Sequence, residues 1–158
     1  MVTELNGETA RVNPAGGQLA TFYLEGLMFG VDVLRVQEVL RHQPMTLVPL
    51  APDVIQGLIN LRGQIVPALD MRKRLGLPPQ GSGEPPMNMV VRTEEGVVSL
   101  LVDEIGDVWD VDAASFERPP ENLDPAVREI VQGVYKLNNR LLLVLDAGQT
   151  VSIAANPR

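Results

Sequence analysis

From residue 19 onward the chain is written in short apolar runs cut by glycine, proline and asparagine, the pattern of strands joined by tight turns. Residues 19–24 predict one strand, Gly26 a turn, and residues 28–33 a second strand. Over residues 34–40 the apolar positions fit neither a period of 2 nor one of 3.6, so the pattern assigns no element there. Residues 46–49 predict a short extended piece between prolines, and Pro52 opens a helical turn over 52–55. Residues 58–61 and 64–69 predict two strands around a turn at Arg62-Gly63. Asp70 stands where it can cap a short helix over 71–75, which Gly76 ends. Residues 77–86 hold four prolines and read as a linker. Strands at 87–92 and 97–102 follow, then a weakly alternating stretch at 105–111 and a second proline-rich loop at 118–125. Residues 131–137 and 140–145 predict a hairpin around Asn138-Asn139, a dipeptide that accepts positive φ, and Asp146 caps a last helix. Residues 1–17 are polar and predict a flexible tail.

The chain resembles itself. Residues 54–70 align without gaps on residues 130–146: Gln56 meets Gln132, Gly57 meets Gly133, Leu61 meets Leu137, Leu69 meets Leu145 and Asp70 meets Asp146. Upstream, residues 28–31 fall on 97–100, and Val33, Val36 and Val39 fall on Val102, Ile105 and Val108. The body therefore reads as a unit of about 70 residues used twice, each copy a small barrel of about five strands. A barrel that small has a thin core, so the two copies are expected to pack on each other. The lobes are placed at about 18–81 and 82–152, within a single domain over 18–152, with exchange of strands between them allowed. The repeat is also an internal control. Residues shared by both copies, such as Gly57 and Gly133, read as backbone necessities. Arg62-Gly63 is matched by Asn138-Asn139, so the turn does not demand arginine, and Arg62 carries meaning beyond the turn.

Composition narrows the function classes. The net charge is −7, the wrong field for a nucleic-acid partner; the densest basic run, Arg72 to Arg74, is too short to hold a duplex. There is no cysteine, which excludes disulfides and thiolate metal sites. No apolar run is long enough to span a bilayer and the first residues do not form a signal peptide, so the cytoplasm is the expected compartment, without membrane insertion. His42 is the one histidine and lies in a polar loop. The acidic stretch Asp103, Glu104, Asp107, Asp110 and Asp112 lacks the spacing of a calcium loop. No nucleotide-binding or nucleophile motif is present. The chain is expected to be no enzyme, with neither metal nor cofactor, and Trp109 reads as half-buried packing or a contact anchor.

Two segments carry a family resemblance. Residues 29–39, Phe-Gly-Val-Asp-Val-Leu-Arg-Val-Gln-Glu-Val, and residues 49–72, with Ile-Asn-Leu-Arg-Gly-Gln-Ile-Val-Pro at 59–67, resemble the CheW-like family of bacterial chemotaxis coupling proteins. The resemblance runs from about residue 19 to 151. It implies a mostly all-β fold of two SH3-like five-stranded barrels with short helical turns, in keeping with the duplication. It implies a non-catalytic adaptor, bridging the cytoplasmic tips of chemoreceptors to the regulatory domain of a CheA-type histidine kinase and recruited to membrane-associated receptor arrays. The positions matching the family's receptor contacts are Val36, Glu38, Gly57 and Arg62. For the kinase, the matching loop is Arg118, Pro119, Pro120 and Glu121, with Leu123 as the apolar residue after it unless Asn122 displaces it. Some relatives continue into a longer C-terminal helix than the residues after Val151 allow. A coupling protein of a pathway for surface motility, pili or gene regulation is the alternative inside the family; a ligand-binding small barrel is the alternative outside it.

Overall fold

The structure, a computed structural model, describes residues 17–155, with side chains from 17 to 152. Among these, ten strands form two five-stranded sheets. In chain order they are β1 (Gly17–Leu24), β2 (Leu27–Asp32), β3 (Val36–Leu40), β4 (Ile55–Leu61), β5 (Gln64–Asp70), β6 (Met87–Thr93), β7 (Gly96–Val102), β8 (Glu104–Val111), β9 (Val131–Lys136) and β10 (Leu141–Leu145). Three short helices interrupt them: α1 (Met71–Arg74), α2 (Pro125–Arg128) and α3 (Ala147–Ala155). The capping aspartates do as their spacing predicts. Asp70 accepts from the Lys73 N–H and Asp146 from the Gln149 N–H, each satisfying an orphan donor of the first turn.

The two sheets exchange strands. The first runs β8-β1-β2-β10-β9 and the second β3-β6-β7-β5-β4. The first two strands of each repeat complete the sheet of the other repeat, so a boundary near residue 82 divides the sequence but not the sheets. The registers coincide residue for residue. Thr21 faces Gly30, and their counterparts Val90 and Ser99 face each other. Gly57 faces Ala68 and Gly133 faces Val144, with the same bulge one step on. Even the parallel contacts agree: Val144 lies opposite Gly30, and Ala68 opposite Ser99. Side-chain alternation fixes register wherever one face of a strand is buried and the other is not.

In each sheet the chain leaving one outer strand returns to the opposite edge. Thr46, beyond β3, exchanges two hydrogen bonds of 2.8–2.9 Å with Leu58 in β4; Glu117, beyond β8, does the same with Val134 in β9 at 2.9 Å. This crossing explains the shared glycines. A Cβ on Gly57 would stand 2.8 Å from the Thr46 carbonyl oxygen, and one on Gly133 would stand 2.5 Å from that of Glu117 and overlap the Phe116 ring. Both glycines are close-approach residues, not turn residues.

The core lies mainly between the sheets. Phe22 and Phe29, stacked with centroids 5.5 Å apart, meet Met89, Val91, Val98 and Leu100 from the second sheet in one cluster. Met71 and Val151 close its ends from α1 and α3, and Leu75 does so from just past α1. Smaller clusters fill each curled sheet: Leu19, Met28, Tyr135, Leu142 and Val144 in the first, and Ile59, Leu61, Val66 and Val90 in the second. β1, β2, β6 and β7 are thus buried on both faces, which is why they read as continuous apolar runs. Three polar side chains in this interior have partners: the Thr21 hydroxyl donates to the Asp107 carbonyl, Asn88 donates to that of Arg41, and the Ser99 hydroxyl donates to Asn88.

Several sequence expectations shift. The ambiguous stretch at 34–40 is a 3-10 turn, Val33–Arg35, capped by Asp32, followed by β3. Residues 52–55 make a single turn, with the Ile55 N–H on the Pro52 carbonyl. Pro125 is the first residue of α2 and not the end of a loop. Neither Asn138 nor Asn139 has a positive φ. The tail expected over 1–17 lies outside the described residues, save Gly17, which opens β1.

Candidate protein-docking site

Arg62 and Gly63 form the two-residue turn between β4 and β5, and both have positive φ, +53° and +91°. Glycine takes such a conformation freely; a residue with a Cβ pays about 1–2 kcal/mol. The Gly63 N–H is held by the Asn60 side chain at 2.8 Å, which helps fix the turn. Arginine therefore sits at a costly place, and its guanidinium is aimed from a rigid base. It pairs with Glu38 on β3, the opposite edge strand of the same sheet. Glu38 is 21% exposed at the side chain and Arg62 69%, so one side of the fork faces solvent. Because β9–β10 turns without positive φ, the two hairpin turns are different conformations, and Asn138 is no direct control for Arg62. The backbone of Arg62 itself takes over that argument.

The four residues expected at the receptor site do not converge. Glu38 and Arg62 touch. Gly57 is buried beneath Thr46 and Met45, where it shapes the same sheet from inside. The bulge between Val36 and Glu38 turns them to opposite faces: Val36 pairs with Val91 and packs on the core between the sheets, while Glu38 pairs with Val90 of the smaller cluster. In the other loop, Arg118 is exposed, Pro119 and Pro120 are half-buried, and Leu123 packs on the main core. Arg128 of α2 holds the loop by donating to the Pro120 carbonyl at 2.8 Å. Apolar exposure is concentrated elsewhere. Leu47 and Leu50 protrude from the loop before β4, Leu50 fully exposed at φ +68°, with Leu34 and Ile65 also largely exposed.

The CheW-like domain family matches residues 18–154. The chain belongs to this family. It is 30% identical over 151 residues to the chemotaxis protein CheW of Klebsiella aerogenes, covering 96% of this chain and 88% of that protein. It is 31% identical over 132 residues to CheW of Bacillus subtilis, covering 84% and 85%. The crystal structure of the scaffolding protein TtCheW from Thermoanaerobacter tengcongensis superposes with a TM-score of 0.73 at 29% identity, over 82% of this chain and 88% of that one. Its function is that of a CheW-like coupling scaffold in chemotaxis. Among the described residues no helix is long and apolar enough to cross a membrane, and no three His, Asp or Glu side chains converge to hold a metal ion.

In this CheW-like fold the sequence reading passed over one feature. Arg72, set aside there as part of a short basic run, is the hub between the sheets. Its Nε and Nη2 donate to the two oxygens of Asp103 at 2.9 and 2.6 Å, and its Nη1 reaches Glu25 at 2.7 Å and the Pro78 carbonyl. Asp103 is the single residue between β7 of the second sheet and β8 of the first, and Glu25 is in the β1–β2 turn. The side chains of Arg72 and Asp103 are only 12% and 14% exposed. Burial pushes the Asp103 carboxyl up, but hydrogen bonds from Arg72 and the Glu25 N–H, with the guanidinium charge, hold it below the usual carboxylate range. The Asp103 carboxylate first, and then that of Glu25, hold the Arg72 guanidinium above its ordinary value against the opposing effect of burial. Arg74 is also buried, donating to the Gln149 and Thr150 carbonyls of α3. The repeat held a signal: Arg72 and Arg74 fall on Gly148 and Thr150, so neither arginine is required by the repeated backbone.

Proposed function

We propose that this CheW-like chain bridges the cytoplasmic tips of chemoreceptors to the regulatory domain of a CheA-type histidine kinase, at membrane-associated arrays and without chemistry of its own. The Glu38–Arg62 corner is the receptor-facing element, with Val36 and Gly57 supporting it from beneath. Arg118, Pro119, Pro120 and Leu123 meet the kinase. One observation carries the reading: an arginine accepts a left-handed backbone at the tip of a hairpin, half solvated, beside a carboxylate from the opposite strand. A planar five-donor fork on a rigid turn suits a carboxylate or backbone carbonyls of a partner, and partner groups can replace or extend the Glu38 contact.

The test is Arg62→Asn, followed by a melt, a receptor pull-down and a kinase pull-down on one preparation. Asparagine tolerates the left-handed region better than arginine, offsetting loss of an exposed ion pair worth about 0–1 kcal/mol, so stability should change by less than about 1 kcal/mol. Receptor capture should fall sharply and kinase capture should hold. Unchanged receptor capture in a folded variant would remove Arg62 from the site.

A further inference from the structure

The Arg62 corner has a counterpart in the other sheet, and there the same point of the fold is open. Register places Trp109 where the second sheet has Leu40, Tyr23 where it has Arg92, and Arg140 where it has Gln64. Instead of a corner closed by an ion pair, this end of the first sheet holds a cavity of about 460 Å³. Tyr23, Met28, Trp109 and Leu137 supply its apolar wall, and Lys136 and Arg140 its cations, with Asn138 and Asn139 along the lip. Trp109 is 38% exposed. Lys136 is engaged by Glu117 at 3.5 Å. The Arg140 guanidinium lies over the Tyr23 ring at 5.3 Å and forms no ion pair with a described carboxylate. It is a cation held in place and available, on a chain of net charge −7.

We propose that this cavity docks a segment of a partner protein that presents an aromatic or aliphatic side chain beside a carboxylate. The apolar wall takes the side chain, and Arg140, oriented by its stacking on Tyr23, takes the carboxylate. The two asparagine amides at the lip match a peptide backbone, which distinguishes a polypeptide from a small aromatic acid. Tryptophan and arginine converging in one pocket are the residue types that dominate protein-docking energetics. The backbone alone did not impose this filling, because the other sheet carries the same registers with other side chains. The site is separate from the Glu38–Arg62 corner and does not depend on the receptor or kinase assignments.

Trp109 is the only tryptophan in the chain, so its emission reports directly on the cavity. The full chain is titrated with acetyl-Glu-Phe-Glu-amide, with acetyl-Lys-Phe-Lys-amide and with phenylacetate. The acidic peptide should give a saturable blue shift and the basic one none. Arg140→Ala should weaken the acidic peptide about tenfold, the loss of one charge-assisted contact, with an unchanged melt. Arg140→Gln serves the same purpose should the alanine variant melt early. A flat titration up to about 5 mM overturns the proposal, since a docking site should exceed that affinity. So does equal response to both peptides, or indifference to both Arg140 variants. Phenylacetate binding as tightly as the peptide would make this a small-molecule pocket instead. A spectrum that shifts with protein concentration alone would assign the cavity to a second copy of the chain.

Discussion

Removing the Asp103 carboxylate is the sharpest test of how the two sheets are held together. Asp103→Ala strips Arg72 of both hydrogen bonds to its main partner and leaves the Glu25 N–H without its acceptor. Orphaning one member of a buried ion pair costs about 3–5 kcal/mol. Here Glu25, about half exposed, and the Pro78 carbonyl remain on the guanidinium, so the expected loss is about 2–3 kcal/mol. For a chain of this size that lowers the melting temperature by about 5–10 °C. The loss should depend on pH in one direction. Asp103 titrates lower in the folded chain than in the unfolded one, so its contribution is complete above the unfolded value of about 4 and fades as pH falls from there through the folded value. The gap between wild type and variant should therefore be constant from about pH 5 to 8 and shrink below about pH 4. Urea titrations of both proteins at pH 7, 5 and 3.5 measure it. The double variant Arg72→Met/Asp103→Ala should recover part of the loss, because no charge is then left buried. A gap under about 0.5 kcal/mol at pH 7, or one that does not change at low pH, would refute the account of this cluster as a clamp.

Further outcomes follow from the same geometry. Gly133→Ala should destabilise by about 2–3 kcal/mol and Gly57→Ala by somewhat less, read by denaturant midpoint, because the Glu117 carbonyl and Phe116 ring crowd the first site more than Thr46 crowds the second. Leu50→Asn should stabilise by about 0.5–1 kcal/mol, since a fully exposed leucine at φ +68° gives up no packing and asparagine suits that backbone. Arg118→Asp should leave the melt within about 0.5 kcal/mol of wild type while weakening capture of the kinase regulatory domain, measured by calorimetry.

Much of this architecture is written in local sequence. Asp70, Asp146 and Gly76 act through groups within a few residues of themselves, and local hydrogen bonding or φ preference decides such features. The duplication was also legible, because two copies of one backbone impose the same burial at Gly57 and Gly133 and the same apolar alternation around them. Pairing across the molecule was not. Nothing local says that β1 and β2 join β8, β9 and β10; strands buried on both faces carry no mark of which neighbour they prefer. The Glu38–Arg62 contact depends on that arrangement, since it needs the curl that brings opposite edges of one sheet together. The role of Arg72 was hidden for the same reason. Its three partners, Glu25, Pro78 and Asp103, are scattered along the chain, and only the crossing of β7 into β8 beside the β1–β2 turn turns a short basic run into a buried hub. Arg62 stands between these cases: sequence placed it on a turn, but only the backbone dihedral revealed what that placement costs.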